Sequence, residues 1–311
     1  MIRLALFLLP FLLAAQSDSP IQSRIRSAAL TPAARDSLLQ AVSAKDYAKI
    51  ESTLTAAPDG ATLALLGAIE FVSGRLQPAA GAFQRADALT PLDDKDRFTY
   101  AMALATLGET DTARTQLDRL QKLHPDQSLY LYWLARLDYF QRRYDNAVAK
   151  LERAVKLDPG SPRIWDNLGL NHDLLGQSVE AQAAFEKAVE LNRRLKTPAA
   201  WPPMNFGALL FRMQKLPEAE TSLREALRYD PQFAQAHYHL GRVLEKTGDD
   251  AKAIDELQTA ARLDPAMAEA EYTLSLLYRK QGRTAEAAKA LEEYKKRRGS
   301  TAGPDYKDIP R

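Results

Sequence analysis

Small and apolar residues return at fixed places every 34 residues through most of this chain. Pro91, Pro125 and Pro159 are each 34 apart, and so are Pro231 and Pro265. Counting back from these prolines gives a frame with starts at Gly60, Asp94, Ser128, Pro162, Ala200, Ala234 and Ala268. Only the step from 162 to 200 is longer, by four residues. Position 20 of the frame is always alanine: Ala79, Ala113, Ala147, Ala181, Ala219, Ala253 and Ala287. Position 8 is always small, from Gly67 through Ala101, Ala135, Gly169, Gly207 and Gly241 to Ser275. Position 24 is always large and apolar: Phe83, Leu117, Leu151, Phe185, Leu223, Leu257 and Leu291. Position 7 is Leu, Tyr or Phe throughout, from Leu66 to Leu274. A fixed period of this length marks a repeat array, in which each unit buries its apolar face only against neighbours. Small side chains at 8 and 20 let two helices approach closely, and 7 and 24 fill the space beside the contact.

The best-formed copies run Trp165, Leu168-Gly169, Ala181, Phe185, Ala188 and Leu240-Gly241, Leu244, Gly248, Ala253, Ala260, Pro265. This pattern resembles the tetratricopeptide repeat family, whose period is also 34. The resemblance implies an all-α fold, a right-handed superhelical solenoid of antiparallel helix pairs. It covers residues 60–298 as seven repeats: 60–93, 94–127, 128–161, 162–199 with an insertion, 200–233, 234–267 and 268–298. A degenerate repeat, 31–59, precedes them with Lys45-Asp46-Tyr47 and Pro58 as its landmarks. Arg193 stands where the repeat from 162 should end in proline, so its second helix is expected to run on and break at Pro198. Pro202-Pro203 then fall in the first turn of the next helix, where a missing N–H costs least.

Composition narrows what such an array could be. Among 311 residues there are 42 basic and 40 acidic side chains, a net charge of +2, and no cysteine. The balance gives no electrostatic footprint for nucleic acid. Without cysteine there are no disulfides, thiolate nucleophiles or Cys-based zinc sites. Arg3 followed by the apolar run Leu4 to Ala15, and then Gln16-Ser17, reads as a signal peptide over 1–17. The run is too short to cross a bilayer, so no stable membrane span is expected after its cleavage. The absence of an Asn-x-Ser/Thr sequon favours the bacterial envelope, periplasmic or secreted. Residues 18–30 read as a linker and 299–311 as a disordered tail.

Chemistry-bearing motifs are missing. No phosphate-cradling glycine loop, H-E-x-x-H or G-x-S-x-G occurs, so no catalytic residue, metal ligand or cofactor is assigned. His237 and His239 are two apart and point in opposed directions on a helix. Acidic pairs such as Asp93-Asp94 and Asp249-Asp250 sit at helix starts, where capping explains them.

The resemblance further implies a concave groove lined by the first helix of each repeat, mainly at positions 2, 5, 9, 12 and 13. Those places, with position 6, supply the candidate partner-binding set. The repeat from 128 contributes Tyr132, Arg136, Tyr139 and Phe140, in a stretch with six aromatics between 130 and 144. Later repeats contribute Asp166, Asn167 and Asp173, then Met204, Asn205 and Phe211, then Tyr238 and Arg242, then Tyr272 and Arg279. Arg212, Lys246 and Lys280 share position 13 and could form a basic stripe. The expected partner is therefore a protein or an extended peptide, held by a non-catalytic scaffold in cell-envelope assembly. A membrane-tethered assembly factor and a non-catalytic subunit of an enzyme complex are the alternatives. The register is testable in the cold: Ala181→Leu should overpack the helix-pair contact and lower stability by about 1–3 kcal/mol in a denaturant titration.

Overall fold

A computed structural model describes residues 20–56 and 58–300; the expected leader and residues 301–311 of the expected tail lie outside them. The described residues form helices and connecting turns, with no strand among them. Two compact bodies divide at Arg143 and Tyr144. The N-terminal body holds α1 (Pro20–Ser27), α2 (Pro32–Ala44), α3 (Tyr47–Thr55), α4 (Gly60–Val72), α5 (Leu76–Leu89), α6 (Asp94–Leu107), α7 (Thr110–Leu123) and α8 (Ser128–Phe140). The C-terminal body holds α9 (Tyr144–Leu157), α10 (Pro162–Leu174), α11 (Ser178–Arg193), α12 (Trp201–Arg212), α13 (Leu216–Tyr229), α14 (Ala234–Thr247), α15 (Asp250–Leu263), α16 (Ala268–Lys280) and α17 (Thr284–Ser300).

Within each body the contacts are those of a stack. The closest packing joins a first helix to the second helix of its own pair: α4 to α5, α6 to α7, α10 to α11, α12 to α13, α14 to α15 and α16 to α17. Each second helix then touches the first helix of the next pair, and first helices touch first helices, as α10 does α12 and α12 does α14. Apart from α1, which packs on α4, the main contacts among the described helices join neighbouring pairs, so stability is close to a sum over those pairs.

The close approach inside a pair has a direct steric cause. A Cβ built on Gly67 would lie 2.9 Å from the Phe83 ring, and one on Gly169 would lie 2.7 Å from that of Phe185. Gly207 and Gly241 meet Leu223 and Leu257 in the same way, at 2.7 Å. In these four repeats position 24 thus rests its side chain on the bare backbone of position 8. Ala181, Ala219 and Ala253 at position 20 have no exposed surface, so any added atom there enters the same contact. Leu291 breaks the rule: it is 36% exposed where its counterparts in α5, α7, α11, α13 and α15 are buried. No described helix follows α17 to cover it.

Every first helix from α2 onward stops at a residue in the left-handed region or is followed by one. Gly74, Gly108, Gly176, Gly248 and Gly282 have positive φ, and Lys45, Arg142 and Gln214 hold equivalent places with φ of 56°, 58° and 59°. Glycine takes this conformation without steric cost, whereas a side chain does not.

The insertion in the repeat from 162 is clasped rather than loose. α11 has 16 residues where α13 and α15 have 14, and it ends at Arg193. Asn192, fully buried, donates its side-chain amide to the Ala199 carbonyl at 2.8 Å and accepts from the Ala199 N–H at 2.9 Å. Arg193, in place of the usual proline, forks onto Glu225 of α13 at 2.8 and 2.6 Å, and the Tyr229 hydroxyl donates to the same carboxylate. α12 then starts with Pro202 and Pro203 buried in its first turn.

The linker expected over 18–30 differs from the structure, which has α1 there. Ile21 and Ile25 are one helical turn apart, and both are buried. Two apolar residues in eight are too few to announce a helix by periodicity. α17 runs to Ser300, so residues 299 and 300 of the expected tail are helical.

Two substitutions separate the two backbone requirements. Gly169→Ala should cost about 1–3 kcal/mol by forcing Phe185 aside. Gln214→Gly should raise stability by about 0.5–1 kcal/mol by relieving the left-handed side chain. Chemical denaturation of the two variants beside the parent checks both signs.

Candidate partner-binding faces

In the N-terminal body the candidate residues lie on α8, and its aromatics divide by depth. Tyr130 and Trp133 pack on Phe98 of α6, with ring centroids 6.1 and 6.3 Å apart. Burial raises the Tyr130 hydroxyl pKa, and the nearby Asp94 carboxylate adds to the rise. Tyr132 is 7% exposed and meets Trp133 edge-on at 5.4 Å. Arg136 is also buried, with its guanidinium 5.0 Å from the Phe140 ring centre and 5.8 Å from that of Tyr139. Phe140 is 39% exposed and Tyr139 partly so, their rings 5.4 Å apart and nearly perpendicular. A ligand on this helix would therefore meet Tyr139 and Phe140 backed by Arg136, while Tyr132 is already enclosed. Below them, buried Asp138 takes a hydrogen bond from Arg114 of α7 at 2.8 Å and ties the helix end down.

In the C-terminal body the candidates pair across repeats in ways that spacing did not reveal. The Asn205 amide donates to both oxygens of Asp166, at 3.0 and 3.1 Å. Asp173 forms an ion pair with Arg212. Position 6 of one repeat thus meets position 5 of the repeat before it, and position 13 meets position 12. Asp166 and Asn167 are buried, and Asn167 also donates to the Arg163 carbonyl one turn back at 3.0 Å. Met204 belongs to the hydrophobic core. An amide ladder for a bound backbone would need Asn205 released from Asp166, and the basic stripe loses Arg212 to Asp173 and Lys280 to Asp250 at 2.7 Å.

What remains open on α12, α14 and α16 is a group of rings and cations. The Arg242 guanidinium lies 5.2 Å from the Phe211 ring centre and 6.0 Å from that of Tyr238. It donates to the Tyr238 hydroxyl at 3.1 Å and approaches Glu245 at 3.5 Å. All three residues keep part of their surface in solvent. Tyr272 is 45% exposed, its ring 5.2 Å from that of Tyr294 on α17. The side chains of Arg279 and Lys246 are exposed and make no hydrogen bond or ion pair among the described residues.

Two histidines on α14 sit in contrasting surroundings. Burial lowers the His239 pKa to about 4, and Arg212 and Arg242 push it the same way. His237 is raised, first by its contact with Glu256 at 2.6 Å. No group of three or more His, Asp or Glu could hold a metal ion among the described residues. No helix among them is long and apolar enough to cross a membrane.

A pairwise stack of two-helix repeats with small residues at the crossing defines a repeat scaffold. A family profile described as tetratricopeptide repeat matches residues 99–162, 204–268 and 251–305, and a second of the same description matches 162–194. The chain belongs to the tetratricopeptide repeat family, whose members bind proteins or peptides. It is 26% identical over 200 residues to human Protein O-mannosyl-transferase TMTC1, covering 62% of this chain and 22% of that protein. It spans about a quarter of the length of the curated relatives it matches. Among solved structures, the APC/C hetero-tetramer Cut9-Hcn1 superposes with a TM-score of 0.63 at 16% identity, covering 87% of this chain and 53% of that one. A tetratricopeptide repeat protein from Parabacteroides merdae ATCC 43184 gives 0.62 at 17% identity, covering 82% and 99%. At these identities the likeness is one of fold.

The histidines make the stability of the C-terminal body depend on pH with opposed signs. His239 is held neutral, so the unfolded chain binds the extra proton as pH falls from 6.5 towards 4, and stability is lost in that window. The residue as a whole keeps part of its surface in solvent, which makes the loss partial. His237 contributes stability below about pH 6.5 that disappears as pH rises through its raised folded value. His239→Gln should therefore flatten the fall of Tm between pH 6.5 and 5. His237→Gln should lower Tm at pH 5.5 and leave it unchanged at pH 8.5.

Proposed function

We propose that the chain is a non-catalytic scaffold that holds an extended segment of a partner protein against its first-helix faces, outside the cytoplasm, in the assembly of the cell envelope. The observation that carries the binding reading is the open group of Phe211, Tyr238 and Arg242, flanked by Tyr272 and Arg279. Aromatic side chains and arginine dominate the energetics of protein interfaces. Here they are pre-positioned on consecutive first helices while most neighbouring charges are already matched within the fold. A stack with rigid elements and little reorganisation suits a ligand that lies along it. The envelope setting rests on the apolar run Leu4 to Ala15 behind Arg3, and on the small residues that follow it.

The binding surface can be tested with a displayed library of random twelve-residue peptides. Selected peptides should bind the parent chain and lose at least tenfold in affinity, about 1.4 kcal/mol, to the double variant Tyr238→Ala/Arg242→Ala. Its Tm should stay within a few degrees of the parent, because both residues border solvent. Undiminished affinity in the folded double variant would place binding elsewhere. N-terminal sequencing of the protein from its native host should find a first residue near Gln16 or Asp18; Met1 would instead favour the tethered alternative.

A further inference from the structure

Helix α1 has no place in the repeat frame, yet it lies over first helices of the N-terminal body. It packs on α2 and α4, with Ile25 fully buried and Ile21 nearly so. Arg24, between them, forks onto both carboxylate oxygens of Asp96 on α6. The Asp96 side chain is only 5% exposed. Its neighbour Arg97 is committed elsewhere, to Asp87 and to Gln116 at 2.7 Å, so Arg24 is the cation that balances Asp96. Beside the ion pair is a cavity of about 350 Å³, whose lining includes Ala64 and Leu65 of α4 and the residues that cap α4 and α6, Asp59 and Asp93. Ala64 holds position 5 of its repeat, the lane in which the later repeats carry Tyr238 and Tyr272, and Leu65 holds position 6.

We propose that this face of α2, α4 and α6 is a docking site for a basic, aliphatic amphipathic helix of a partner protein, with α1 as the resident occupant that the partner displaces. The resident shows the chemistry the site accepts: aliphatic side chains one turn apart and an arginine on the same stripe. That spacing is how an amphipathic helix reads a groove. Charge points the same way, since the cavity presents Asp59, Asp93 and Asp96 against the single guanidinium of Arg24. A departing α1 would take from Asp96 the cation that balances it, and a partner seated over the same surface would bury that carboxylate again, which is strongly unfavourable for an unpaired charge. The replacement must therefore bring its own cation. α1 is also suited to leave, because eight residues do not sustain a helix in water without the surface they lie on. The inference presupposes the scaffold reading, but it concerns the other body and a helical rather than an extended ligand.

The test uses a fluorescent peptide of residues 20–30 added to the full chain. The parent should bind it weakly, its own α1 being in place. Arg24→Glu, which sets a carboxylate against Asp96, should release α1 and bind the peptide at least tenfold more tightly. Adding Asp96→Asn should abolish the gain, and the peptide carrying Arg24→Glu should not bind. Ile25→Asp offers a second way to free α1, and hydrogen exchange along α1 reports whether either variant has done so. A folded variant with α1 released that binds the peptide no better than the parent overturns the proposal, as does a gain that survives Asp96→Asn. Binding of library peptides at Tyr238 and Arg242 should be unchanged in Arg24→Glu. Loss of library binding alone would count against the extended-ligand reading and leave this site standing.

Discussion

The structure depends on one contact: a large side chain of a second helix seated on the bare backbone of its first helix. Phe83 on Gly67 and Phe185 on Gly169 bring ring atoms to distances that leave no room for a methyl group. Leu223 on Gly207 and Leu257 on Gly241 do the same with a branched aliphatic. Because this contact fixes how close the two helices lie, it also fixes which face of the first helix is left for the next repeat and which for a ligand. Alanine at position 20 is a second requirement of the same geometry. The near-invariance that runs through the chain is therefore steric, and function lies in the positions this contact leaves free.

Charged residues serve largely to join one repeat to the next. Arg193 reaches Glu225, Asp173 pairs with Arg212, and Arg97 satisfies Asp87 and Gln116. The Arg193 hydrogen bond is the first cause of the lowered Glu225 pKa, and it outweighs the burial that opposes it. That pairing is at full strength above the ordinary carboxylate range and is lost as pH falls through the lowered value. Such pairs add specificity between neighbours more than they add stability where they are exposed. They also remove charge from the faces a partner would meet, and so the unmatched Arg279 and Lys246 stand out.

Much of the fold was legible because steric rules leave a periodic trace in sequence. Positions 7, 8, 20 and 24 gave the helix pairs and their crossing, and Pro202-Pro203 gave a helix start. The candidate faces were legible only in part. Spacing placed Met204, Tyr132 and Asp166 on the ligand side of their helices, yet these three are enclosed, because depth depends on the neighbouring helix as much as on the residue's own. The Asn205–Asp166 and Arg212–Asp173 pairs join residues 39 apart, with the insertion lying between them. A frame that compares like positions passes over pairs offset by one lane. α1 left almost no trace, since a helix of eight residues offers a single turn of pattern and takes its shape from the surface beneath it.

Asn192 shows how such an array absorbs an irregularity. Four extra residues enter between two repeats, and one buried amide supplies both a donor and an acceptor to the backbone that carries them. The added segment is stitched to the helix it follows, and the next pair resumes the same packing on schedule. Sequence length and structural phase are thereby uncoupled at this joint. A lineage could lengthen or shorten the spacer while every downstream repeat keeps its mesh with the one before, provided the stitch survives.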